Sequence, residues 1–151
     1  MNEYYRSLPK KRMGAGALIF NKNGELLIVK PNYKDYWSIP GGTVEENESP
    51  RTACLREVKE EVGIDIADAE FVSVDYLEDA DGKGENLQFT FFGGIIKDGQ
   101  KVSIDKSELD EYRFASADVA KKLFGKNLAT RLSKCIDAIQ DRSGVYLENG
   151  A

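Results

Sequence analysis

Short apolar runs separated by turn sequences predict the strands of this chain. Residues 14–20 and 25–30 read GAGALIF and ELLIVK, and the NKNG sequence between them is typical of a hairpin turn because Asn and Gly tolerate positive φ. The second run is almost continuously apolar, which indicates a strand buried on both faces. Further strands are predicted at residues 37–40, 71–79, 86–97 and 111–115.

Two longer segments predict helices. Ser49 followed by a proline is typical of a helix N-terminus, and Gly63 is a plausible C-terminal cap, so the first helix is predicted from Ser49 to about Val62. The second is predicted over residues 127–141, where apolar residues recur at helical spacing. Its expected buried stripe consists of Leu128, Leu132, Ile136 and Ile139.

The order of these elements predicts a single domain over residues 1–151. Strands interspersed with helices favour an α/β fold, in which helices pack on a mixed β-sheet as an α/β/α sandwich. A chain of 151 residues suits one core. Residues 1–12 are interpreted as an N-terminal extension and residues 143–151 as a loosely held tail.

The residue types that are absent narrow the chemistry. The chain has no histidine, which removes histidine bases, histidine metal ligands and Ser-His-Asp triads. Cys54 and Cys135 are the only cysteines, too few for a disulfide framework or a cysteine zinc site. Any general base is therefore expected to be a carboxylate.

Charge and hydropathy indicate the partners. No stretch approaches the length of a membrane span, and the N-terminus has no apolar run after its charges, so we expect a cytoplasmic protein with no membrane partner. The formal net charge is −5 and the only basic cluster is residues 10–12, so stable nucleic-acid binding is not expected. An anionic substrate would need local positive charge, which a divalent cation can supply.

The first predicted helix concentrates three carboxylates on one face. At 100° per residue, Glu57, Glu60 and Glu61 fall within an arc of about 100°. Leu55 and Val58 lie on the roughly opposite side, which predicts that one face packs on the core while the other presents the acids. Like charges this close repel each other, and a hard cation such as Mg²⁺ would relieve the repulsion.

The sequence around the three glutamates decides between a solvated helix face and a metal-binding one. A solvated face screened by Arg56 and Lys59 explains the charge pattern alone equally well. However, residues 42–64 resemble the Nudix box, whose pattern is Gly, five residues, Glu, seven residues, then Arg-Glu-hydrophobic-any-Glu-Glu-any-Gly-hydrophobic. Every specified position is filled. The resemblance extends upstream to residues 37–42 and to the hairpin of residues 14–30.

Resemblance to the Nudix family implies a reaction and a set of roles. The family hydrolyses nucleoside diphosphates linked to another group, by attack of water on phosphorus, with Mg²⁺ or in some cases Mn²⁺. Arg56 is implied to hold Glu48 or another box carboxylate in place. Catalytic roles are expected for Glu57, Glu60 and Arg56. The implied metal ligands are the side chains of Glu57, Glu60 and Glu61 and the carbonyl of Gly41.

Positions around the box are further candidates. Arg12, Lys30 and Gly42 are predicted to lie against the substrate, Gly42 because glycine lets backbone approach phosphate without a side chain in the way. Glu108 or Glu111 is a candidate for an extra metal ligand or the base. The sequence leaves open whether the small-molecule substrate is a nucleoside triphosphate, an oxidised nucleotide or a nucleotide sugar. It also leaves open the number of metals and a homodimer.

Three other functions compete with a hydrolase. A non-catalytic Nudix-fold nucleotide-binding or regulatory module usually loses box glutamates, and none is lost here. A plain structural protein does not explain the Gly and Arg positions of the box. An isomerase of diphosphate esters would be expected to carry histidine. We therefore expect Mg²⁺-dependent hydrolysis of a phosphoanhydride bond.

Overall fold

Seven strands form one mixed sheet in the computed structural model, which describes residues 1–151. The strands are β1 (Arg12–Phe20), β2 (Leu26–Pro31), β3 (Gly41–Thr43), β4 (Glu70–Leu77), β5 (Asn86–Ile95), β6 (Leu109–Ala115) and β7 (Val145–Glu148). The helices are α1 (Glu3–Ser7), α2 (Pro50–Val62), α3 (Ala117–Leu123) and α4 (Lys126–Asp141). The spatial order is β6-β2-β1-β5-β4-β7, with β3 paired to β1 beside this path. The pairs β1–β5 and β4–β7 are parallel and the others are antiparallel.

Helices cover both faces of the sheet, which confirms the predicted α/β/α sandwich. On one face, α2 buries Ala53, Val58 and Val62 against inward residues of β1, β2 and β5. On the other face, α3 and α4 bury Ala120, Leu132 and neighbouring side chains against the opposite sides of the same strands. No helix is long and apolar enough to cross a membrane.

The box helix begins and ends where its caps predict. The Ser49 side chain accepts a hydrogen bond from the Thr52 amide at 3.1 Å, and proline follows at the first helical position. Gly63 takes the left-handed conformation, with φ of 71°, and its amide donates to the Lys59 carbonyl. Local signals alone therefore place this helix.

The sheet forks between β1 and β2, and this fork accommodates the start of the box. β1 pairs with β2 only where Phe20 meets Leu26, whereas its first half pairs with β3. The strand predicted at residues 37–40 is wrong, because that segment makes only isolated bridges and the strand begins at Gly41. A side chain at Gly41 would place its Cβ 2.6 Å from the Gly16 Cα, so only glycine allows the backbones to come this close.

The tail predicted to be loose is held in the sheet. Residues 145–148 form β7, which pairs in parallel with β4, and Leu147 is buried. The Gly150 amide donates a hydrogen bond to the buried Asp75 carboxylate at 3.0 Å. The short elements α1, α3 and β7 are absent from the sequence prediction, because none is long enough to show a period.

Candidate active site

Arg56 connects most of the acidic side chains of the box. Its Nε and Nη2 donate to the two carboxylate oxygens of Glu48 at 2.8 and 2.9 Å. Its Nη1 donates to Glu57 at 2.9 Å and to Glu60 at 3.3 Å, and Nη2 also donates to the Thr43 carbonyl at 3.1 Å. A planar guanidinium has five donors in a fixed fork, so one side chain can orient all these groups.

The Arg56 network has a clear electrostatic effect. Hydrogen bonds from Arg56 hold the pKa of Glu48 at about 2, so this carboxylate is ionised throughout the neutral range. The same contacts raise the pKa of Arg56 itself, chiefly through Glu48. Glu48 therefore braces the loop before α2 through Arg56.

Glu61 is buried, contrary to its predicted place on an open helix face. Only 7% of the residue is exposed, and its Oε1 accepts a hydrogen bond from the Gly41 amide at 2.7 Å. The reason is that β3 lies over the edge of α2 that carries Glu61, whereas Glu60 projects away with 56% of its side chain exposed. The three carboxylates thus occupy different environments.

Burial raises the pKa of two of these carboxylates, Glu61 and Glu57. It is the main cause that raises the pKa of Glu61 from its ordinary value of 4.5 to about 7. The Gly41 amide opposes the shift, while the negative charges of Glu57 and Glu108 add to it. Burial also raises the pKa of Glu57, against the opposing hydrogen bond from Arg56.

Gly42 leaves room for Glu57. A Cβ at Gly42 would lie 2.6 Å from both carboxylate oxygens of Glu57, so this carboxylate would have to move. The glycine that opens the box is therefore needed for the packing of a box carboxylate. This reason differs from the predicted one, in which Gly42 admits a phosphate.

The carboxylates do not form a ready-made metal cage. No group of three or more acidic or cysteine side chains has the geometry to hold a metal ion. Glu57 and Glu60 bond to Arg56, and Glu61 bonds to Gly41. The donor set nevertheless fits Mg²⁺ chemically, because all the donors are oxygens and Glu61 is a buried carboxylate without a cationic partner in the protein.

A cleft beside the carboxylates is lined by positive side chains. Its inner part, about 240 Å³ in volume, runs from Gly41, Gly42 and Glu61 to Arg131 on α4. Its outer part, about 670 Å³, continues from Arg131 over the start of α4. The cationic side chains that line one or both parts are Arg12, Lys34, Lys83, Lys126 and Arg131. A chain of net charge −5 thus offers local positive charge next to its acidic cluster.

A family model, described as the NUDIX domain, matches residues 10–134, which include the whole box and the cleft strands. The chain belongs to the Nudix hydrolase family. The match begins in front of β1 and ends within α4, so the family domain includes both faces of the sandwich.

Relatives of this Nudix chain differ in how much of their length it spans. An RNA pyrophosphohydrolase of Hydrogenovibrio crunogenus is 33% identical over 115 residues, which are 67% of this chain and 69% of that protein. The mRNA-decapping enzyme subunit 2 of Saccharomyces cerevisiae (strain YJM789) is 28% identical over 133 residues, 84% of this chain. The chain spans only 13% of that yeast protein's length.

A solved structure supports the same fold. The MutT protein from Methanosarcina mazei Go1 superposes with a TM-score of 0.73 at 23% identity, covering 90% of this chain and 99% of that one. At this identity the likeness concerns the fold.

The other predicted site residues fall in different places on the Nudix domain. Arg12 lines both parts of the cleft. Lys30 does not line it, because its ammonium donates to the carbonyls of Pro31 and Lys34 and so braces their loop. Glu108 is close enough to raise the pKa of Glu57 and Glu61, whereas Glu111 lies on β6 opposite Lys30.

Sequence reasoning missed the far wall of the cleft. Arg131 is buried and bonded to Asp75, although the two are 56 residues apart in the chain. The available signal was an arginine beside the expected buried stripe of α4, because a cation that becomes buried needs a partner. The position of Lys34 in the cleft had no comparable signal.

Proposed function

We propose that this chain is a Mg²⁺- or Mn²⁺-dependent hydrolase that cleaves a phosphoanhydride bond in a nucleoside diphosphate derivative by attack of water on phosphorus. The observation that carries the proposal is the complete box folded around Arg56, with a buried, raised-pKa carboxylate at one end of a cation-lined cleft. Perturbed carboxylates beside a cleft are typical of catalytic sites.

The site residues would have three different roles in this reaction: binding the cation, positioning its ligands and accepting a proton. Glu57, Glu60 and Glu61 would hold the cation, with the Gly41 carbonyl as a further ligand, and Arg56 keeps Glu57 and Glu60 in position. When bound, the cation neutralises charge on the phosphoryl oxygens and lowers the pKa of bound water. A carboxylate accepts the proton from the attacking water, and Glu57, Glu60 and Glu108 are the candidates.

The cleft supports an anionic, extended substrate. Arg12 and Lys34 lie along its walls and are well placed to offset the charge of a polyphosphate. The leaving group of a phosphoanhydride is a phosphate oxygen, which needs little proton donation, and this suits a chain without histidine. Nucleoside triphosphates, oxidised nucleotides and nucleotide sugars all meet these requirements. The similarity to an RNA pyrophosphohydrolase adds RNA as a further candidate substrate.

Hydrolysis in ¹⁸O-labelled water, with mass spectrometry of both products, tests the reaction. We expect hydrolysis with Mg²⁺, none in excess chelator, and the label on a product phosphate. Label in a sugar hydroxyl, or turnover of phosphomonoesters alone, would show that the assigned reaction is wrong.

A non-catalytic nucleotide-binding module is the second candidate on this fold. Such a module would bind nucleotides in the cleft but would show no release of phosphate or pyrophosphate with any metal. Turnover separates the two functions: a hydrolase releases phosphate or pyrophosphate in the wild type and loses this release in Glu57→Gln and Glu60→Gln, whereas a module shows no release in any of the three proteins.

A further inference from the structure

Arg131 is a buried cation at the junction of the two parts of the cleft. Only 6% of the residue is exposed, and it lines both the inner and the outer part. The other cationic residues of the cleft, such as Arg12 and Lys34, are exposed. A guanidinium is always protonated, so its burial requires partners for its donors.

Only one nitrogen of Arg131 is satisfied by the protein. Its Nε donates to Asp75 Oδ2 at 2.7 Å, and the other oxygen of this fully buried carboxylate accepts the Gly150 amide. The Nη1 and Nη2 groups donate to no protein acceptor. Both nitrogens are nevertheless accessible, because the Thr90 hydroxyl oxygen is the only fully buried side-chain oxygen or nitrogen that lacks a hydrogen-bond partner. The Nη groups of Arg131 therefore open into the cleft from a fixed position.

Asp75, the partner of Arg131, lies three strands away from the strand that contacts Glu61. Gly14 of β1 pairs with Thr43 on one side and with Gln88 on the other, and Asp75 lies opposite Gln88. Three strand spacings, roughly 14 Å, thus separate Asp75 from the strand whose Gly41 amide binds Glu61. Arg131 also lines the outer part of the cleft, which Glu61 does not reach, so a nucleotide whose phosphates lie beside Glu61 can place its base against Arg131.

The polar floor of this end supports a hydrogen-bonding ligand. Thr90, of which only 1% is exposed, lines the inner part of the cleft, and its hydroxyl has no oxygen or nitrogen partner. Its neighbour is the Cys135 thiol, which is a weak hydrogen-bonding group. The Gln88 amide also lines both parts and donates to Asn86 at 2.7 Å, which leaves its carbonyl oxygen without a bond to protein.

We propose that Arg131 is a specificity-determining residue that reads the O6 and N7 acceptors of a guanine base, and that Asp75 and the Gly150 amide orient it for this contact. The inference rests on the proposed function and names the substrate class of the same site. The two parallel N–H groups of arginine match two adjacent acceptors, and O6 and N7 of guanine are such a pair. Adenine presents an amino donor in place of O6, and 8-oxoguanine carries a hydrogen on N7.

Equilibrium binding to the full chain in excess chelator tests the contact without turnover. Calorimetric titrations would compare GTP, ITP, ATP and 8-oxo-GTP. We expect GTP and ITP, which share O6 and N7, to bind about tenfold tighter than the other two, the low end of what one bidentate contact discriminates. R131Q should lose this preference. K134Q is the matched control, because it removes one positive charge from an exposed position on the same helix and should keep the preference.

Each other result has a defined meaning. Equal weakening of GTP, ATP and inorganic tripolyphosphate in R131Q would make Arg131 a phosphate contact and overturn the inference, as would a wild type without base preference. If R131Q does not fold, because Asp75 loses its partner, the neutral double variant R131Q/D75N takes its place with the same expectation.

Hydrolysis with Mg²⁺ separates this inference from the proposed function. An active wild type should show a raised KM for GTP in R131Q at nearly unchanged kcat, whereas loss of kcat alone would contradict a role in base recognition. A wild type that hydrolyses no nucleotide but retains the GTP preference overturns the proposed function and supports the Arg131 contact.

Discussion

The buried carboxylate of Glu61 should make the metal-free protein less stable at high pH, and E61Q should remove this effect. Glutamine keeps the size of the side chain and an oxygen acceptor for the Gly41 amide, but it has no charge to bury. The substitution therefore isolates the cost of the ionised carboxylate.

The magnitude follows from the pKa. In the folded chain Glu61 has a pKa of about 7, against an ordinary value of 4.5 for the unfolded chain. Below pH 4.5 the group is protonated in both states and costs nothing. Between pH 4.5 and 7 the unfolded state ionises first, so the folded state loses stability as pH rises, and above pH 7 the full penalty applies. At about 1.4 kcal/mol per pKa unit this is about 3 kcal/mol.

Thermal unfolding in chelator, from pH 4.5 to pH 8.5, measures the effect. For a chain of this size, about 3 kcal/mol corresponds to a Tm difference of roughly 6 to 12 °C, so E61Q should match the wild type at the acidic end and exceed it by that amount at the alkaline end. Saturating Mg²⁺ should shrink the gap, because a cation stabilises the ionised wild type.

E60Q is the control for this experiment, because 56% of the Glu60 side chain is exposed and its substitution removes no buried charge, so it should not reproduce the stabilisation expected for E61Q. Both variants should lose most of the hydrolytic activity. A Tm difference between E61Q and wild type that stays constant over the pH range would refute the reasoning, since it would show that Glu61 ionises as readily in the folded as in the unfolded chain.

Three further results are expected. R56K should keep the fold but lose at least about tenfold in turnover, because lysine cannot make the paired contacts to Glu48, and unchanged turnover would exclude Arg56 as the organiser. G42A should displace Glu57 and lower activity, whereas E46A, at an exposed position of the same loop, should not; equal activity in both would contradict the steric argument. At limiting Mg²⁺, turnover should rise with pH towards and beyond 7, as the raised pKa values of Glu57 and Glu61 delay their ionisation, and a maximum near pH 5 would be incompatible with this mechanism.

The helix of the box was predictable because its signals are local. Ser49 and Gly63 cap it, and the spacing of its glutamates defines their arc before any tertiary contact is known. The burial of Glu61 was not predictable in this way. A helical period describes one helix alone, whereas Glu61 is covered by a strand 20 residues earlier in the chain.

The far side of the cleft was also not predictable from the sequence, because it depends on contacts between distant segments. The contact of Arg131 with Asp75 depends on how α4 lies across β4, and the tail becomes ordered only because β4 offers a free edge to β7. Both depend on pairings between distant segments, which apolar periodicity does not encode. The cationic residues that line the cleft were therefore harder to predict than the charged residues of the box.

The parallel pairing of β1 with β5 also has a consequence for the order of folding. Arg12 pairs with Asn86, so the two strands can pair only after a loop of roughly 70 residues, which includes all of α2, has closed. Antiparallel neighbours such as β4 and β5 close a much shorter loop and can form sooner. The acidic helix can thus exist before the cleft beside it does, and refolding should recover helical content earlier than nucleotide affinity.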